Sequence, residues 1–274
     1  SECGACMIDP IRLAEDTMKI NCSWRGDICL RRYWRFRGGK WYGGVATADC
    51  VGCNLRCKFC GPLLFMLKTR KHGSYKSPID VVRILVSIAK RRGYRYLRIS
   101  GGEPTICFDH IKQVLEWFNR LVKKHIFILE TNGILIGARK EYAEMLSEYR
   151  NIHIRVSLKG TNEEEFEKLT MADRKYFEYQ IVALKNLLNN NVSFHPAVVA
   201  SFTTEENIEK LIDRLSKIDW NLARSLEIEY IVLYPHVVES LNRHNIVPTK
   251  AYTTDWRLIG SEEYVRLFKS HMRG

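Results

Sequence analysis

The chain contains no run of 18 or more apolar residues, so it offers no membrane-spanning helix. Its opening, SECGACMIDP, lacks the basic-then-apolar pattern of a secretory signal, which points to a cytoplasmic location. Neither an internal repeat nor a low-complexity linker is present. Cysteine is nearly absent beyond residue 60, where only Cys107 remains of nine. Acidic residues are also in deficit: 31 Asp and Glu face 43 Lys and Arg, a formal net charge of +12. That excess attracts something acidic, either nucleic acid or an acidic electron-transfer protein. Basic side chains that merely coat a stable surface would give the same balance, because net charge does not specify fold.

The 274 residues suit one large domain or two ordinary ones, and 46% hydrophobic content is enough for a core. Eight cysteines crowd into the first sixty positions: Cys3, Cys6, Cys22, Cys29, Cys50, Cys53, Cys57 and Cys60. Without a secretory signal, such crowding favours metal binding or catalysis over a disulfide framework.

From residue 43 onward short β-type runs alternate with helical patterns. Strands are expected at 43–49, 96–100, 125–131, 152–158, 192–199 and 226–234. Helices are expected from Ser77-Pro78 to Gly93, over 109–124, and near 139–149, 175–189 and 205–218. Alternation of this kind predicts a parallel sheet with helical crossovers. Six units are too few for a complete eight-unit barrel, so the expected fold is α/β, a partial (β/α)6 TIM-like barrel. The expected division is a Cys-rich, basic and aromatic N-terminal extension at 1–42, a core at 43–235 and a C-terminal tail at 236–274. On such sheets ligands sit at the carboxyl ends of the strands, where the cysteine loop and other unusual residues converge.

Cys53-x3-Cys57-x2-Cys60 places three soft thiolates on one short loop after the first strand. That donor set suits an iron–sulfur cluster or zinc. A cube normally takes four cysteines, so three leave one iron open. A zinc site completed by Cys50 is the alternative. Ser100-Gly101-Gly102-Glu103-Pro104 closes the second strand, and Thr131-Asn132-Gly133 closes the third. Gly101 and Gly102 let backbone approach a ligand closely.

The C-x3-C-x2-C loop with Phe59 before its third cysteine, the GGE motif at Gly101–Glu103 and the Thr131-Asn132-Gly133 turn together resemble the radical S-adenosylmethionine (SAM) superfamily over roughly residues 43–235. The resemblance implies a [4Fe-4S] cluster on Cys53, Cys57 and Cys60, with SAM chelating the open iron. It also implies reductive cleavage to a 5′-deoxyadenosyl radical that abstracts hydrogen from substrate. SAM contacts are implied for Phe59, Gly101, Gly102, Glu103, Ser157 and Lys159. No catalytic side chain is assigned. Glu130 either points into the barrel or pairs with a basic neighbour, and His195, His236 and Tyr234 are left as packing residues.

Cys3, Cys6, Cys22 and Cys29 are candidates for a second metal centre, zinc or iron–sulfur. This Cys-rich start and the closing DWRLIGSEEY resemble proteins related to glycyl-radical-enzyme activases. LRRYWRFRGGKWYGG (30–44) interleaves cations and aromatics, which suits a β-hairpin turning at Gly38-Gly39 and also suits RNA. The expected function is therefore a radical SAM enzyme acting on a macromolecule, RNA or protein, with ferredoxin or flavodoxin as electron donor. The rival is a non-enzymatic zinc or iron–sulfur RNA-binding module, which would have no use for the GGEP loop.

Overall fold

Helix punctuation in the chain behaves as its residue types dictate. In the computed structural model, which describes residues 7–60 and 73–269, Ser77 accepts from the Asp80 amide, Pro78 takes the first helical position, and Gly93 ends the helix at φ 67°. Val81, Val82, Leu85, Ile88 and Ala89 form its buried stripe, the 3.6-residue period of an amphipathic helix.

In chain order the elements begin with α1 (Pro10–Asn21), β1 (Cys22–Arg25), β2 (Ile28–Gly39), β3 (Val45–Cys50), β4 (Ser74–Lys76), α2 (Pro78–Arg92) and β5 (Tyr96–Gly101). There follow α3 (Phe108–Leu121), β6 (Ile126–Thr131), α4 (Ile134–Ala138), α5 (Lys140–Leu146), β7 (Ile152–Leu158), α6 (Glu163–Thr170) and α7 (Phe177–Asn189). The chain continues through β8 (Phe194–Val199), α8 (Glu205–Ser216), α9 (Trp220–Ser225), β9 (Glu227–Glu229) and α10 (Pro235–Arg243). It closes with β10 (Lys250–Tyr252), β11 (Leu258–Gly260) and α11 (Ser261–Phe268).

The main sheet among the described residues runs β1-β2-β3-β5-β6-β7-β8-β9, with β4 paired to β2. The six strands from β3 to β9 are parallel, while β1, β2 and β4 join antiparallel. This is the expected partial barrel of six strand–helix units, open at both edges. Among the described residues no helix is long and apolar enough to cross a membrane.

Successive strand residues face opposite sides, and here the two sides differ in kind. Ala46, Ala48, Leu97, Ile99, Phe127, Leu129, Ile154 and Val156 bury against the helices in one core. Thr47, Arg98, Glu130, Arg155 and His195 share cross-strand registers on the other side. The concave wall is therefore polar, whereas parallel sheets are ordinarily apolar on both faces.

Two expected elements change. The run at 30–44 is not a hairpin turning at Gly38-Gly39. It is one long strand, β2, hairpinned to β1 and antiparallel to β3. The reversal comes after it, at Trp41–Gly43, where Gly43 (φ 75°) and Gly44 (φ 129°) take positive φ and Gly44 passes so close to Tyr94 that a Cβ on it would lie 2.4 Å from the ring. The sixth strand, expected to reach Tyr234, pairs only over Glu227–Glu229. Beyond it the backbone turns to the C-terminal hairpin, with Leu233 N bonded to Tyr252 O and Tyr252 N to Ile231 O. Leu233, Val237, Leu241, Ile246 and Tyr264 form a second apolar cluster there.

Gly137 marks a close crossing of two helices, since a Cβ on it would lie 1.9 Å from the Tyr179 carbonyl of α7. Gly137→Ala is expected to destabilise by about 1–3 kcal/mol through overpacking, despite alanine's better helix propensity. The urea midpoint checks this; an unchanged or raised midpoint contradicts the close crossing.

Candidate functional site: a cysteine loop over a polar trough

The loop after β3 is pinned before it reaches its second thiol. Gly52, at φ 90°, presents its carbonyl to the Glu103 amide at 2.8 Å, and Gly102 N reaches Cys50 O at 2.9 Å. A Cβ on Gly102 would lie 2.1 Å from Gly52 O, so only glycine permits this contact. Farther along, Arg56 Nη1 donates to Cys53 O and Leu55 O, and Lys58 N donates to Leu169 O at the end of α6.

Pinned this way, Cys53, Cys57 and Cys60 line one cavity of about 290 Å³. Phe59, Gly101, Gly102, Glu103, Ser157 and Lys159 line the same cavity. Every SAM-site residue expected from sequence is thus brought together. The three thiols are free of disulfides. Burial first, then Glu103 and Cys57, pushes the Cys53 thiol up to about 12. Cys50 belongs elsewhere: fully buried on β3, it lies beside Arg31 and does not line the cavity, so it completes no zinc site with the other three. Lys159 Nζ donates to Ser157 Oγ at 2.8 Å and lies 5.9 Å from the Phe59 ring centroid, a cation–π distance.

Glu103 is 2% exposed and is held by four donors. Its Oε1 accepts from Thr105 N, Thr105 Oγ1 and Thr131 Oγ1, and its Oε2 accepts from Asn132 N. A carboxylate has about four lone-pair sites, so most of this side chain is spent on joining the GGE loop to the Thr131-Asn132-Gly133 turn. Asn132 Nδ2 then reaches Asn54 Oδ1 in the cysteine loop at 2.8 Å. Gln180 of α7, fully buried, donates to Asn132 O and Ser157 O and accepts from Lys159 N. Sequence reading missed Gln180. Its signal was a polar residue on the buried face of a helix.

The cavity opens into a neighbouring trough of about 420 Å³, and Ser100, Glu130, Arg155 and Glu229 line both. Glu130 both faces the trough and pairs with a basic neighbour. It accepts from Arg98 Nη1 at 2.9 Å, Ser100 Oγ at 2.7 Å and Tyr42 OH at 3.1 Å. Burial alone would raise its pKa, but Arg98 and then Arg155 hold it below the usual carboxylate range. Arg155 grips Glu227 in a fork (Nε 3.1 Å, Nη2 2.9 Å) and also donates to Glu229. His195, set aside as a packing residue, donates through this network: its Nε2 lies 2.8 Å from Glu227 Oε2, and its Nδ1 lies 2.7 Å from His153 Nε2. Tyr234 and His236 stack on each other away from both cavities. Arg98, Arg155, Glu227 and Glu229 were missed, although their period-2 placement in otherwise apolar strands was the available signal.

Comparison with known proteins gives the arrangement its context. Residues 49–215, more than half of the chain, match the model of the radical SAM superfamily. The chain belongs to the radical SAM superfamily. Among curated relatives, the GTP 3′,8-cyclase of Mycolicibacterium smegmatis is 31% identical over 137 residues, covering 48% of this chain and 37% of the relative. That of Paenarthrobacter nicotinovorans is 34% identical over 131 residues, covering 48% and 35%. The chain thus spans little more than a third of these relatives. Among solved structures, spore photoproduct lyase complexed with dinucleoside spore photoproduct superimposes with a TM-score of 0.57 at 11% identity, covering 88% of this chain and 75% of that one. This likeness concerns fold alone.

Radical SAM enzymes use a [4Fe-4S] cluster and SAM, and the residues present fit both. Three soft thiols, none of them in a disulfide, converge on one cavity that Gly101, Gly102 and Glu103 also line. Membership also removes the rival reading of a non-enzymatic binding module.

Of the expected second metal set, the described residues include only Cys22 and Cys29. Cys3 and Cys6 lie outside the described residues. Cys22 is disulfide-bonded to Cys107, 85 positions away, so in this form it is not a free thiolate. Cys29 is buried, and desolvation and then Asp109 push its thiol up to about 11.

His153 supplies a pH dependence. Burial and then His195 lower its pKa to about 4, against 6.5 in the unfolded chain. The unfolded state therefore takes up the proton first, and stability is lost as pH falls from 6.5 towards 4. His153→Gln should flatten this slope, by at most about 1.4 kcal/mol per pH unit. Urea midpoints measured across that window check it; identical slopes in both proteins refute the assignment.

Proposed function

We propose that this radical SAM enzyme acts on a macromolecular substrate, RNA or protein, held in the polar trough beside the SAM cavity. Ferredoxin or flavodoxin serves as its electron donor. The observation that carries the reading is the shared wall: Ser100, Glu130, Arg155 and Glu229 face both cavities, so a group in the trough lies next to the SAM site.

In this reading Cys53, Cys57 and Cys60 hold the cluster. When bound, the cluster supplies the electron that splits SAM into methionine and a 5′-deoxyadenosyl radical, which abstracts hydrogen from substrate. The backbone edge of Gly101 and Gly102 orients the SAM ammonium, and Glu103, through the four hydrogen bonds it accepts, holds that edge in place. Ser157 and Lys159 offer a hydroxyl and a cation to ribose or carboxylate, and Phe59 closes that side. In the trough Arg98, Glu130, Arg155, Glu227 and Glu229 present paired charges, which suit a polar substrate group recognised by hydrogen bonds. The net charge of +12 favours an anionic macromolecule or an acidic electron donor. The GTP 3′,8-cyclase relatives favour a second reading, a free nucleotide in the same trough.

Joint replacement of Cys53, Cys57 and Cys60 by Ala is expected to abolish 5′-deoxyadenosine formation after anaerobic reconstitution and chemical reduction. Chromatographic detection of 5′-deoxyadenosine from the triple variant at the wild-type rate would sink the central assignment. Addition of total RNA or total protein should raise the wild-type rate above its substrate-free level; stimulation by GTP alone would favour the second reading.

A further inference from the structure

Trp41 and Trp256 come from opposite ends of the chain, yet their rings meet edge to face at 6.0 Å. Neither is buried by the meeting: 54% of Trp41 and 56% of Trp256 remain exposed. Trp41 lines the trough, and its chain neighbour Tyr42 turns inward to donate to Glu130. Trp256 is held at φ 65°, a conformation that a bulky aromatic rarely adopts and that costs free energy. The β10–β11 turn enforces it. Thr253 N donates to Arg257 O at 2.9 Å, Trp256 N donates to Thr253 O at 3.0 Å, and Thr253 Oγ1 accepts from Arg257 N at 3.1 Å. An aromatic row continues from Trp256 to Tyr252 at 5.9 Å.

Packing does not account for two large indoles displayed in this way, since burial is what an apolar side chain ordinarily gains from folding. Exposed aromatic faces at the rim of a charged cavity suit a planar ligand that can be stacked. The surroundings specify its charge. Lys40, adjacent to Trp41, is exposed and makes no ion pair among the described residues. Arg37, 31% exposed in its side chain, lines the same trough. Planar faces flanked by cations match bases and phosphates, the pairing by which single strands are bound.

We propose that Trp41 and Trp256 form a base-stacking platform that holds a nucleotide of single-stranded RNA at the mouth of the trough. The inference rests on the macromolecular reading above and selects RNA from it.

The test uses the full chain and a fluorescein-labelled, mixed-sequence RNA of roughly 12 nucleotides, within the span of a single-strand site, read by anisotropy at about 0.15 M salt. Trp41→Ala and Trp256→Gly should each weaken binding roughly 5- to 150-fold. Trp256→Gly is the cleaner variant, because glycine adopts φ 65° freely, so the thermal midpoint should hold or rise while affinity falls. Trp256→Phe should keep most of the affinity. An abasic strand of equal length should bind the wild type more weakly and be indifferent to both substitutions. Trp220→Ala, 65% exposed and outside the trough lining, should leave affinity unchanged.

Unchanged RNA affinity in Trp41→Ala and Trp256→Gly overturns the proposal, as does an equal loss in Trp220→Ala. A Trp-dependent fluorescence quench by GTP with none by RNA also overturns it. The wild type's 5′-deoxyadenosine yield is measured separately. Its absence would sink the enzymatic reading, whereas a normal yield with Trp-insensitive RNA binding would sink the platform alone.

Discussion

The Glu103 carboxylate is the point on which the site's geometry depends. A buried carboxylate is costly unless its lone pairs are filled, and here four donors from two loops fill them. Its own amide donates to Gly52 O in the cysteine loop, and its carbonyl accepts from the buried Arg31 of β2 at 3.2 Å. One residue thus joins the ends of β3, β5 and β6 and links them to the antiparallel extension. The three motifs lie far apart in the chain and become neighbours because each follows a parallel strand. Glu103 then locks the relative heights of their loops.

Much of this was legible because the signals are local. Five of the six strands and the helices α2, α3, α5, α7 and α8 were marked by caps, glycines and apolar periodicity. The short loops carry their chemistry in consecutive residues. What escaped depends on contacts between distant segments. The Cys22–Cys107 bond arises only once β1 has folded back along β2 and the turn after GGEP has reached it. The truncation of β9 follows from competition by Tyr252 for the backbone of Ile231 and Leu233, and no propensity in 226–234 reveals that. Other omissions were readable. Asp9 before Pro10 caps α1, and Asn162 before three glutamates caps α6; both are ordinary start signals. His195 resembled a packing residue because its partners, His153 and Glu227, sit on separate strands.

The concave wall shows how a parallel sheet can hold charge. Arg98 pairs with Glu130, Arg155 with Glu227 and Glu229, and Arg35 and Arg37 with Asp49. Each pair spans neighbouring or nearby strands, so side chains that would otherwise be desolvated without partners complete one another. The trough is accordingly polar without carrying a strong field of either sign. Its preferences then reside in hydrogen-bond geometry and in the aromatic rim rather than in bulk attraction, which the remaining surface cations supply.

Among the described residues the sheet's two ends, β1 and β9, do not pair with each other. A closed ring can be entered only along its axis, so a polymer would have to offer a free end. A ring with a missing wall is a slot. On the macromolecular reading proposed above, a polymer substrate would enter such a slot sideways rather than by threading. On that reading the position chosen along the polymer would be set by whatever stands at the slot's lip, not by the distance from a terminus.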